Sequence, residues 1–148
     1  MPRILVTEAD IDMGAELARL EDGAGAVASF LGVVREKAGG RRLAAMTLEH
    51  YPGMTERSIA AIAAGAMARW RLIDCTVIHR IGRLAPGARI VLAAASSLHR
   101  ADSLEATQFL IDWLKTDAPF WKREEFAEGD AAWVAARAED DAARDRWR

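Results

Sequence analysis

The sequence predicts an α+β fold for one domain over residues 1–148, with a mixed, largely antiparallel sheet and packed helices. Three observations carry this. Strand-like runs and helical-period runs alternate in mixed order along the chain. Glycine- and proline-containing turns (Gly39-Gly40, Pro86-Gly87) separate neighbouring strand-like runs and so specify hairpins, which close antiparallel pairs. Apolar residues make up 51% of 148 positions and charged ones 28%, enough apolar surface for one core inside a charged shell.

Taken in order, Arg3–Thr7 reads as a short strand and residues 11–20 as a helix with apolar residues at helical spacing. Residues 25–34 (GAVASFLGVV) are small and β-branched, a buried strand. REKAGGRR follows as a Gly-Gly turn carrying Arg35, Lys37, Arg41 and Arg42, and residues 43–51 (LAAMTLEHY) form the next strand. After Pro52-Gly53 a helix runs over about residues 54–70, its core stripe being Ile59, Ile62, Ala63, Ala66 and Trp70. CTVIHRIG and RIVLAAASS are two further strands joined by the RLAPGA turn. A helix over about residues 101–116 puts Leu104, Thr107, Leu110, Ile111 and Leu114 on one arc. Phe120–Phe126 makes a short strand in which Lys122 shares a face with Phe120 and not with Trp121. The tail over residues 132–147 reads as a charged, mostly solvated helix.

The composition excludes several classes. A net charge of −2 does not suit a protein that coats nucleic acid or an anionic membrane, so any anion site must be a local cluster. No apolar run reaches membrane-spanning length, and MPRILVTEAD does not look like a signal peptide. The single cysteine, Cys75, rules out an internal disulfide framework and fits a reducing cytoplasm; inside CTVIHRI it reads as a small buried apolar residue. His50, His79 and His99 are far apart with no second ligand at metal spacing, so neither a metal nor a cofactor is expected.

Three clusters could carry chemistry. In SSLHRADSLEA a strand leads through His99 and Arg100 into a helix start. A cation there opposes the helix dipole at a cost of roughly 0.3–1 kcal/mol, unless an anion is bound between the guanidinium and the free N–H groups. The alternative is an Arg100 that points into solvent or pairs with Glu105. In VVREKAGGRR, Arg35 differs from its neighbours because it directly follows a buried strand and so has a fixed position. In LKTDAPFWKRE, Lys115 lies at the edge of the apolar arc, where the helix C-terminus alone would favour a lysine. Lys122 follows the proline turn; held against apolar groups and other cations, such an amine has a lowered pKa and becomes usable as an acid or base near neutral pH.

FLGVVRE, LEHYPGM, VIHRIGRLAPG, SSLHR and LIDWLKTDAPFWKRE occur in the order found in the large, catalytic subunit family of molybdopterin synthase, which the chain resembles from about residue 25 to 137. The resemblance implies an α+β sulfur transferase of molybdenum cofactor biosynthesis. Its substrate would be cyclic pyranopterin monophosphate (precursor Z), and its sulfur donor a small ubiquitin-like subunit whose C-terminal Gly-Gly carries a thiocarboxylate. Two transfers in sequence would give the dithiolene. The assembly implied is a heterotetramer with two large subunits as its central homodimer. Lys115 would be the catalytic lysine, expected to exchange protons, and Lys122 a second active-site lysine acting mainly by charge. Arg35, His99, Arg100 and Arg137 would bind the substrate, with His99 and Arg100 lent across the dimer. Two other readings stand beside this one: a non-catalytic module binding a phosphorylated ligand or acidic peptide, and a small phosphatase-like enzyme using Arg35 and His99. The first leaves the two lysines unexplained, and the second lacks a nucleophile.

Overall fold

A computed structural model describes residues 1–135 and 137–148. The strands are β1 (Arg3–Thr7), β2 (Ala26–Val33), β3 (Lys37–Ala38), β4 (Arg41–His50), β5 (Leu72–Arg80), β6 (Gly82–Leu84), β7 (Arg89–Ser97), β8 (Phe120–Phe126) and β9 (Ala131–Trp133). The helices are α1 (Met13–Glu21), α2 (Met54–Arg69), α3 (Arg100–Asp117) and α4 (Ala138–Asp145). The architecture is α+β as expected, but the strands divide between two sheets. The first has the order β1-β5-β7-β2; the second runs β3-β4-β8-β9, with β6 also paired to β4. Only β1 and β5 run parallel; every other pairing among the described residues is antiparallel. Among those residues, no helix is long and apolar enough to cross a membrane.

Turn chemistry explains the hairpins. Gly39 and Gly40 have φ of 57° and 77°, the pair of positive values a two-residue β3–β4 connection requires and other residues adopt at a cost. At the second turn Ala88 N donates to Ala85 O at 3.0 Å, with Gly87 at φ 87°. Proline and glycine therefore occupy the two central positions of a type II turn. β5 and β7 pair as expected, from Leu72↔Ser97 to His79↔Val91. The segment between them does more than turn, because β6 crosses over to pair with β4 and stitches the second sheet to the first.

The main core lies where α2 and α3 cover one face of the first sheet, with Ile59, Ala63, Ala66, Val77, Ala93, Ala95 and Leu110 all nearly inaccessible. Alanines along β7 let the helices approach closely. On the other face α1 packs Leu17 and Leu20 against Ile78, Leu92 and Ala94. α1 starts at Met13 rather than residue 11, because Asp12 caps it by accepting from Ala15 N at 3.1 Å. Ile11 instead plugs the core from outside the helix.

Two expectations fail. Leu104 is 58% exposed, not part of the core arc. The buried stripe of α3 runs through Ser103, Ala106, Thr107, Leu110 and Leu114, since small residues let the helix lie close to the sheet, and the Thr107 hydroxyl donates to Ala28 O at 3.2 Å. The tail is not one solvated helix either. Its first residues pair as β9 with β8, and Trp147 beyond α4 packs edge-on against Trp70 and Phe109 with centroids 5.5 and 5.8 Å apart. Trp147 Nε1 donates to the buried Asp112 carboxylate at 2.7 Å, and Arg144 pairs with Asp117 at 3.0 Å, so the tail is bolted to α3.

Candidate active site

The lysine segment forms a corner. α3 ends at Asp117, Pro119 turns the chain, and β8 begins at Phe120. The corner is held from α2 by the fully buried Thr55, whose hydroxyl donates to Pro119 O at 2.9 Å. Lys122 sits opposite Leu48 on β4 and on the same face of β8 as Phe120, as the alternation predicts, while Trp121 is 48% exposed on the other face. A second fixed point is the end of β2. Val34 is 3% exposed and bonded through both backbone groups (N to Ala88 O, O from Gly87 N), so Arg35 leaves from a rigid position.

Lys115, Lys122, Arg35 and Arg137 line one cavity of about 740 Å³, together with Glu124, Asp140 and Asp141. Gly32 forms part of its wall where a side chain would not fit: a Cβ there would lie 2.6 Å from Val91 Cγ1. The half-buried Lys122 ammonium has its pKa pushed down to about 8, first by loss of solvent and then by Lys115, with Arg35 adding to the effect and Asp140 opposing it. Lys115 is exposed at the edge of the same cavity. Burial therefore holds the titration of Lys122 close to neutral pH.

His99 and Arg100 lie elsewhere. They begin α3 while Lys115 ends it, and fifteen residues of helix separate Arg100 from Lys115 by roughly 22 Å. Both are exposed, and Arg100 makes no ion pair among the described residues. Its alternative partner Glu105 instead accepts from Trp70 Nε1 at 2.9 Å. One chain thus gathers four of the six expected site residues and leaves two at the far end of a rod.

Sequence reasoning misses the carboxylates and a histidine. Asp140 and Asp141 follow Arg137 by three and four residues, a spacing that returns to one side of a helix start. His79 alternates with Cys75 and Val77 along β5 and is buried with them; burial, with Lys122, Lys115 and His50 nearby, pushes its pKa down to about 3. Among the described residues no group of three potential ligands could hold a metal ion.

The MoaE protein family model matches residues 6–117, three-quarters of the chain. The chain belongs to the MoaE protein family. It is 53% identical over 150 residues to the molybdopterin synthase catalytic subunit of Ralstonia nicotianae, covering 99% of this chain and 85% of that one. It is 51% identical over 148 residues to the subunit of the same name from Cereibacter sphaeroides, covering 98% and 99%. Among solved structures, a molybdopterin biosynthesis MoaE protein from Burkholderia ambifaria superposes with a TM-score of 0.84 at 46% identity, over 99% of this chain and 98% of that one. The MoaE match ends at Asp117, so Lys115 falls inside it, whereas Lys122 and Arg137 lie in the stretch beyond.

Proposed function

We propose that this chain is the catalytic subunit of a molybdopterin synthase, acting as one domain over residues 1–148. It transfers sulfur from the thiocarboxylate at the Gly-Gly end of a small ubiquitin-like partner to cyclic pyranopterin monophosphate. The observation that carries the reading is the paired amines, Lys115 and Lys122, at one cavity with Arg35 and Arg137 in a MoaE fold. An anionic thiocarboxylate needs no base to attack. Attack forms a carbon–sulfur bond on the pterin side chain and expels an oxygen that must be protonated. Water then cleaves the acyl–sulfur bond through an oxyanion that must be stabilised, returning the partner's carboxylate. An ammonium with a depressed pKa releases its proton readily. Lys122 is assigned the proton and Lys115 the developing charge.

Four cations face three carboxylates in the cavity, too even a balance to hold a phosphate firmly. His99 and Arg100 of a second copy supply the missing positive charge in our reading, which supports a central homodimer within a heterotetramer. The same reading places the protein in the cytoplasm, with Cys75 as a buried free thiol. A single-turnover assay of dithiolene formation with thiocarboxylated partner and cyclic pyranopterin monophosphate tests it. Turnover should need both, and the single-turnover rate should fall as pH rises through about 8, where Lys122 loses its proton. No dithiolene from the folded complex would overturn the proposal.

A further inference from the structure

We infer that His79 is a positioning residue for Lys122, its imidazole forming the floor on which Phe120 and the start of β8 are set. His79 lies inside the first sheet, between Val6 on β1 and Val91 on β7, and is 5% exposed. Its Nδ1 is 2.8 Å from Arg80 O, so Nδ1 carries the proton and donates, which fixes the ring in one plane. That plane meets Phe120 nearly parallel, with centroids 3.8 Å apart and 19° between the rings. Phe120 belongs to the second sheet and lines the cavity two residues before Lys122, on the same face. The stack therefore joins the sheets directly under the amines, while the Thr55–Pro119 bond holds the other side of the corner.

The choice of histidine has a physical reason. Lys115 and Lys122 repel one another, and Lys122 would lower its energy by turning into solvent unless its strand were fixed. A floor that carried charge would add to that repulsion. Burial keeps this imidazole neutral, with Lys122, Lys115 and His50 facing it from β8, α3 and β4. Phenylalanine could stack without donating to Arg80 O; glutamine could donate without stacking.

The inference rests on Lys122 being a reacting group, but the test reads Lys122 itself, in the absence of partner and pterin. Trace labelling with acetic anhydride across pH, with the exposed Lys37 as internal reference, gives the titration of Lys122 by mass spectrometry. In the wild-type chain the midpoint should lie near 8. In His79→Gln it should move up by at least one unit, as Lys122 relaxes toward water. At pH 8 the free-amine fraction then falls from about a half to about a tenth, and labelling drops about fivefold. His79→Phe should recover most of the wild-type profile by restoring the ring. His79→Leu, apolar but unable to stack, should shift the midpoint in the same direction and serves if His79→Gln does not fold. An unchanged Lys122 profile in the folded variants overturns the inference, as does a Phe variant no better than Gln. Failure of sulfur transfer in the wild-type complex would count against the proposed function alone.

Discussion

Replacing Lys122 with Met should make the protein more stable and less useful. The half-buried ammonium is held with its pKa lowered from 10.5 to about 8, so the folded state binds its proton less tightly than the unfolded chain does. Below pH 8 both states are protonated and the whole penalty is present. Between pH 8 and 10.5 the unfolded chain keeps a proton the folded state has lost, and stability rises with pH as the penalty is relieved. At 1.36 kcal/mol per pKa unit, and discounted for the solvent Lys122 retains, the penalty at pH 7 is roughly 2–3 kcal/mol. Methionine keeps an unbranched chain of similar length beside Leu48 and Phe120 without the charge. Urea unfolding at fixed protein concentration should therefore show a midpoint about 1–2 M higher for Lys122→Met at pH 7. The gap should close by about pH 10.5, and dithiolene formation should be lost throughout. A Met variant less stable than wild type, or a gap independent of pH, would show that Lys122 is not strained by burial and would refute the reasoning.

Three further outcomes are expected. A mixture of Lys115→Ala and Arg100→Ala chains, each inactive in isolation, should regain activity through hybrid dimers; no rescue in verified hybrids would mean one chain holds the complete site. Cys75→Ala should leave sulfur transfer intact at a packing loss of about 1 kcal/mol, because the fully buried thiol has its pKa pushed up to about 12 and cannot carry sulfur as a thiolate. Abolished turnover in the folded variant would contradict this. Trp147→Ala should free α4, costing about 1–3 kcal/mol by urea unfolding and removing hydrogen-exchange protection from residues 138–145, since Asp112 loses its donor and Trp70 and Phe109 lose their cover.

How much of the fold is legible in the chain depends on how local each cause is. The strand from Phe120 to Phe126, its face alternation and the Gly39-Gly40 hairpin are dictated by neighbouring residues, and the structure has them where expected. Hydrophobicity alone puts Leu104 on the buried face of α3, whereas the sheet selects the small Ser103 and Ala106 for close approach. The tail is opaque in sequence because its anchor, Asp112, lies thirty-five residues from Trp147 and looks like an ordinary polar position. Arg35, Lys115, Lys122 and Arg137 stand out in the sequence through their local settings and the family motifs around them. That one cavity holds them with Asp140 and Asp141 depends on tertiary approach, which no spacing rule encodes.

The position of Arg100 and Lys115 at opposite ends of α3 has a kinetic consequence. In the proposed dimer, where His99 and Arg100 complete the site of the second copy, each chain is a donor to a site it cannot use. A dissociated chain is then catalytically empty however well folded, and output depends on encounters between copies. Below the dimer dissociation constant, doubling the protein should raise the rate about fourfold, a second-order dilution curve that a self-sufficient subunit would never show.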